Sequence, residues 1–158
     1  MAGPFCILER VVETVIGPAL GGITLSQRVA SHLSDLQGNE VMSVFAEKEG
    51  DMLAIKRDQL QHVVGKRVLV VEDTLNTGGS AKAVVDLVRA AEGKVVGVSA
   101  LCNRGGVTKE DLGVSRLHAL MSIDLEVHEE TKCPLCMQGV PINTKFGHGK
   151  KFLEDKGV

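Results

Sequence analysis

The chain has 158 residues, 44% of them hydrophobic and 24% charged, with a formal net charge of −2. That is enough for one domain with a buried central sheet, and the balance lacks the basic excess of a nucleic-acid binder. No apolar run reaches membrane-spanning length, and Glu9, Arg10 and Glu13 interrupt anything resembling a signal sequence in Met1–Leu20, so no membrane is expected and the setting reads as cytoplasmic.

In chain order, residues 11–17 read as a short strand running into a turn. Gly17-Pro18-Ala19-Leu20-Gly21-Gly22 then opens a helix, because Leu25, Val29, Leu33 and Leu36 recur at helical spacing and Gly38 can end it. A glycine-bearing loop at a helix N-terminus presents unpaired N–H groups to an anion, although the same hexapeptide also serves as a plain turn. Val41–Ala46 and Met52–Ile55 are strand-like, separated by the charged turn Glu47-Lys48-Glu49-Gly50-Asp51. Val68-Leu69-Val70-Val71 is an unbroken branched apolar run, the pattern of a strand covered on both faces in a parallel sheet. It delivers Glu72 and Asp73 into the loop Thr74-Leu75-Asn76-Thr77-Gly78-Gly79-Ser80, after which Val84, Val85, Leu87, Val88 and Ala91 form a helical stripe that Gly93 can close.

Val95–Leu101 reads as another buried strand, leading to Cys102-Asn103-Arg104-Gly105-Gly106, and a final strand lies within Leu117–Val127. From Pro141 the chain is rich in Gly and Lys, a tail in which Lys150–Lys156 can form a short helix. The alternation predicts an α/β fold with a mostly parallel central sheet and helices on both faces, in one domain over residues 1–140 with a tail over 141–158.

The segment from Val68 to Ser80 carries the most chemistry. Gly78 and Gly79 let backbone approach a ligand, Thr77 and Ser80 add hydroxyl donors, and the helix that follows brings the positive end of its dipole. No Lys follows the glycine pair, so this is not a Walker A loop. The two acids stand instead at the carboxyl edge of the sheet, where ligands of open α/β folds collect. One anion site beside two hydrogen-bond acceptors suits a sugar phosphate.

This strand, acid pair and loop resemble the phosphoribosyl pyrophosphate motif of type I phosphoribosyltransferases. The resemblance implies that Thr74, Leu75, Asn76, Thr77, Gly78, Gly79 and Ser80 bind the ribose 5-phosphate end of that substrate, that Glu72 and Asp73 face the ribose hydroxyls, and that Ala19, Leu20, Gly21 and Gly22 hold its pyrophosphate. Phe45–Glu49 resembles the strand end where orotate phosphoribosyltransferases carry Arg-Lys-Glu before a mobile loop. Lys48 matches, which implies that it neutralises the leaving pyrophosphate; Glu47 replaces the Arg, and Lys56 or Arg57 is then the source of the missing charge. Arg104 matches an Arg whose planar fork pairs the substrate carboxylate, with Asn103 in place of an Asp. Asn76 stands where the family usually has a Thr against orotate, and its amide can donate a comparable hydrogen bond.

With Cys133-Pro134-Leu135-Cys136 and Gly139, the chain is similar to the shorter class of orotate phosphoribosyltransferases from about Val12 to Val140. The resemblance implies Mg2+ bound with 5-phosphoribosyl 1-pyrophosphate, orotate as acceptor, and a homodimer. Only Met1–Ile16 precede the first glycine loop, so the N-terminal hood that helps bind the base is expected to be reduced or absent. Two alternatives remain open: a purine phosphoribosyltransferase, and a non-catalytic module that binds a ribose phosphate. Cys133 and Cys136 have the spacing of half a zinc site, which Cys6, Cys102, His128, His148 or a second subunit would complete. An unliganded turn is the other reading, while a redox pair would call for a strand–helix context that the sequence does not display.

Overall fold

The computed structural model describes residues 12–50, 52–123, 125, 128, 130–145 and 149–156. Cys6, Asp51, Val127 and His148 lie outside the described residues. The chain divides into two compact units, Met1–Leu125 and Glu126–Val158.

The first unit runs β1 (Thr14–Pro18), α1 (Gly21–Gln37), β2 (Met42–Glu49), β3 (Met52–Ala54), α2 (Arg57–Leu60), β4 (Arg67–Leu75), α3 (Gly79–Ala90), β5 (Lys94–Asn103) and β6 (Leu117–Ser122). Its six-stranded sheet has the order β3-β2-β1-β4-β5-β6. Every pairing is parallel except that of β2 with β3, so the expected mostly parallel α/β sheet is present. In the second unit a 3-10 turn (Glu130–Lys132) is followed by α4 (Pro134–Met137) and α5 (Gly149–Lys156).

Strand alternation explains the unbroken apolar run of β4. Val68 and Val70 pack with Ile16, Val98 and the α3 residues Val84, Val85 and Val88, whereas Leu69 and Val71 join Val15 and Ala30 of α1 on the other face. Each face therefore has its own helix, and Val68–Val71 are buried on both faces of β4. The α1 face is less completely covered: an apolar cavity of about 420 Å3 opens beside α1, with Leu25, Val29, Leu33, Val71, Leu101 and Leu120 in its lining.

Several boundaries differ from the sequence expectation for physical reasons. Strand β2 continues through Glu47, Lys48 and Glu49, because Lys48 and Glu49 pair with Leu53 and Met52 in an antiparallel hairpin, so the charged turn shrinks to its tip at Gly50, whose φ is 66°. Strand β4 continues past Val71 to Leu75, since β5 goes on pairing with it through Asn103. Gly38 ends α1 as expected, in the left-handed region with its N–H donating to the Ser34 carbonyl. Gly93 does not close α3 in that way. Glu92 takes the positive φ, 60°, and Gly93 is required for clearance, because a Cβ there would lie 2.7 Å from Val88 Cγ1.

Leu112, in the β5–β6 connection, is completely buried in the α3-side core. Leu112→Ala should lower unfolding free energy by about 2–5 kcal/mol, read as a lower urea midpoint at unchanged m-value. Leu36→Ala, at a residue 57% exposed, should change it by less than about 0.5 kcal/mol.

Candidate active site at the switch point of the sheet

Strand order reverses between β1 and β4: from β1 the sheet grows outward to β2 and β3, from β4 to β5 and β6. Loops leaving neighbouring strands part at such a point and open a crevice beyond the carboxyl ends. Pairing of β1 with β4 covers Thr14–Ile16 against Val68–Val70 only. Beyond Val70, β4 is paired to β5 alone, so Glu72 and Asp73 occupy its last stretch along the crevice. They lie within the strand, not after it.

The loop after β1 is tightly folded. A Cβ on Gly17 would sit 2.8 Å from Gly22 Cα, and one on Gly22 would sit 2.6 Å from the Gly17 carbonyl carbon, so α1 starts directly over the end of its strand. Ala19 N–H donates to the Ala46 carbonyl of β2 at 2.7 Å, and the Ala19–Leu20 peptide is cis. A Cβ on Gly21 would lie 2.2 Å from Asp73 Oδ2. The Asp73 carboxylate thus rests against the first residue of α1, where the helix dipole is positive, while its Oδ1 accepts the Thr74 N–H at 2.6 Å. The acid pair and the first glycine loop, far apart in sequence, are in contact here.

The loop after β4 is shaped by Gly78, which N-caps α3 with φ 77°, a conformation suited to glycine. A Cβ there would also crowd Val107 and Leu112 at 3.0 and 3.1 Å. Helix α3 begins at Gly79 without a side-chain cap, which leaves first-turn N–H groups for a ligand. Thr77 Oγ1 only weakly accepts the Gly79 N–H, at 3.4 Å. Arg104 lies on this loop: its N–H donates to the Leu75 carbonyl at 2.9 Å, and a Cβ on Gly105 would fall 1.5 Å from the Asn76 carbonyl oxygen, so only glycine fits. Asn103 pins the turn, donating through Nδ2 to the Val107 carbonyl at 2.7 Å and accepting the Val107 N–H at 3.1 Å. Asn76 Oδ1 is buried without a hydrogen-bond partner among the described residues. Arg104 itself is exposed.

Lys48, Pro18, Ala19, Gly79 and Ser80 line one cavity of about 600 Å3, so the hairpin lysine and both glycine loops converge. Lys56 is ion-paired with Glu47, and Arg57 is the exposed first residue of α2. The sequence reading missed Gly21 as the seat of Asp73 and Gly105 as the seat of Asn76. Their signal was present as glycines in unexplained pairs, but clearance between remote segments cannot be read from one chain. Among the described residues no group of three His, Cys, Asp or Glu side chains is placed to hold a metal ion, so the expected zinc site lacks support. Among them also, no helix is long and apolar enough to cross a membrane.

The two acids differ electrostatically. Glu72 is only 7% exposed, and its pKa is pushed up from 4.5 to about 7, first by burial and then by the negative charge of Asp73. The folded state therefore holds a proton that the unfolded chain releases between pH 4.5 and 7, so this contribution to stability is full below that window and is lost as pH rises through it. The change should be on the order of 3 kcal/mol. Urea unfolding at pH 5 and pH 8 should show it in the wild type, and Glu72→Gln should remove that part of the slope.

A family model described as the phosphoribosyl transferase domain matches residues 8–124. The orotate phosphoribosyltransferase of Caldicellulosiruptor bescii is 38% identical over 143 residues, covering 90% of this chain and 70% of the relative. That of Desulforamulus reducens is 44% identical over 131 residues, covering 82% and 63%. The crystal structure of Mycobacterium tuberculosis H37Rv orotate phosphoribosyltransferase in complex with 5-phospho-alpha-D-ribosyl 1-diphosphate matches with a TM-score of 0.55 and 28% identity, over 70% of this chain and 63% of that one. The chain thus spans 63–70% of the length of these relatives. Because the matched region takes in the whole switch-point crevice, from the loop after β1 to Arg104, the chain belongs to the phosphoribosyl transferase domain family.

Proposed function

We propose that the chain transfers the phosphoribosyl group of 5-phosphoribosyl 1-pyrophosphate to a ring nitrogen of orotate, giving orotidine 5'-monophosphate and pyrophosphate. The observation that carries this reading is the seating of Asp73 against Gly21, which puts a carboxylate of the strand leading into the second glycine loop in contact with the first, an arrangement suited to a ribose carrying phosphate at both ends. In the reaction the bond from the anomeric carbon to pyrophosphate oxygen breaks as a bond from that carbon to the base nitrogen forms on the opposite face, with inversion.

Thr77–Ser80 and the open N-terminus of α3 hold the 5-phosphate, and Ala19–Gly22 hold the pyrophosphate. Asp73 hydrogen-bonds the ribose hydroxyls and stabilises positive charge growing on the ring. Glu72, carrying its proton near neutrality, donates to a ribose hydroxyl and becomes the stronger stabiliser when it ionises. Lys48 offsets charge on the departing pyrophosphate. Arg104, beside Asn76, pairs the orotate carboxylate, and the Asn76 amide, whose Oδ1 has no hydrogen-bond partner among the described residues, meets the polar edge of the base. Asp73, and Glu72 once ionised, would offer the hard carboxylate oxygens that Mg2+ takes alongside substrate oxygens, and the ion would supply positive charge against the pyrophosphate. The same reading takes the protein as a cytoplasmic homodimer.

A non-catalytic ribose-phosphate module is favoured by one observation, the loss of Lys56 to its pairing with Glu47, which leaves Lys48 to meet the pyrophosphate. Pyrophosphate release with 5-phosphoribosyl 1-pyrophosphate, Mg2+ and a panel of orotate, uracil and purine bases separates the readings. Orotate should be turned over; turnover of a purine instead, or tight substrate binding with no turnover of any base, would reject it. Asp73→Asn should lower kcat by about 100-fold or more with the fold intact. Arg104→Ala should raise the KM for orotate roughly 10- to 100-fold while leaving that for the phosphoribosyl donor unchanged.

A further inference from the structure

The stretch Cys133-Pro134-Leu135-Cys136 is a motif that the proposed transfer does not use. Cys133 has extended backbone, φ −77° and ψ 119°, and caps α4, with Pro134 at its first helical position. Proline suits that position because its φ is already helical and it has no N–H to leave unpaired. Met137 N–H closes the turn onto the Cys133 carbonyl at 3.0 Å, and Gly139 N–H onto the Cys136 carbonyl at 3.0 Å. Cys136 therefore stands one helical turn after Cys133, on the same face, where Cβ atoms three residues apart are about 5–6 Å from each other.

The polar groups of Cys136 and Leu135 at the start of α4 lower the pKa of the Cys133 thiol below the ordinary value. Both side chains are partly exposed and neither is in a disulfide. A 3-10 turn (Glu130–Lys132), not a strand, leads into α4, so the pair sits in a turn–helix context. A zinc reading finds no third ligand among the described residues.

From this geometry we infer that Cys133 and Cys136 are a reversible dithiol–disulfide site that exchanges with low-molecular-weight disulfides. The Cys133 thiolate attacks one sulfur of a disulfide RSSR, forming a mixed disulfide as the S–S bond breaks and RS− leaves to take a proton from water. Cys136 then gives up its proton and attacks the Cys133 sulfur, expelling the second RS−. The two protein thiols are oxidised to one disulfide while RSSR is reduced to two RSH. Closing a ring across a single helical turn removes little freedom from the unfolded chain, so the bond acts as a switch and not as a staple.

The test uses the purified full chain, equilibrated at pH 7 with glutathione at increasing oxidised-to-reduced ratio, quenched with acid, alkylated with iodoacetamide and mapped by peptide mass. The peptide bearing Cys133 and Cys136 should lose two hydrogens and both alkyl groups together as the ratio rises, and dithiothreitol should restore both. Cys136→Ser should accumulate a glutathione adduct on Cys133. The inference is overturned if both thiols remain alkylatable at the highest ratio, if either pairs instead with Cys6 or Cys102, if the wild type stops at the adduct, or if they are shielded by a zinc ion that only a chelator removes.

Discussion

The contact of the Asp73 carboxylate with the Gly21 backbone is the constraint on which the rest of the site depends. It joins the connections that leave β1 and β4 at the switch point, and it exists because three close approaches are met at once. Gly17 and Gly22 let α1 start on top of β1, Gly21 leaves space where a side chain would collide with Asp73, and β4 runs on beyond its pairing with β1 far enough to carry Asp73 there. The two valine-rich cores on either face of β4 hold that strand in place. Packing thus fixes the position of a charge that would otherwise be free in a loop.

Electrostatics then divides labour within the pair. Adjacent residues of a strand point to opposite faces, so Glu72 follows Val68 and Val70 toward the α3 side and is buried, whereas Asp73 remains exposed near the start of α1. Burial beside a second negative charge keeps a proton on Glu72 near neutral pH, while the Asp73 carboxylate rests against Gly21 and accepts the Thr74 N–H. One neighbour is a hydrogen-bond donor and the other an acceptor, a combination suited to the two hydroxyls of a ribose. In the proposed reading Lys48 and the backbone N–H groups of two helix starts meet phosphate, while Lys56 is ion-paired with Glu47.

Much of this was legible in the chain. The apolar run of β4, the stripe of α3, the αL glycine after α1 and the two glycine loops follow from local rules, and a mostly parallel sheet with helices on both faces follows from their alternation. What local rules could not supply were events between distant segments. The extension of β4 to Leu75 depends on how far β5 pairs with it, and the conversion of a charged turn into strand depends on the Lys48–Leu53 and Glu49–Met52 pairs. The Glu47–Lys56 ion pair forms across that same hairpin. Gly93 and Gly105 look like turn residues in sequence but are there for clearance against Val88 and Asn76. The helix beginning at Pro134 is too short to show a periodicity.

The central claim is that the crevice where Asp73 meets Gly21 binds a phosphoribosyl pyrophosphate, and calorimetric titration of that compound with Mg2+ into the wild type and Gly21→Ala tests it most directly. The added methyl meets the mobile end of a side chain, not the backbone, so the unfolding midpoint should stay close to that of the wild type while Asp73 is displaced. The account predicts saturable binding to the wild type and a loss of about tenfold or more in affinity for the variant. Equal affinity in both proteins, or no binding to the wild type, would contradict it.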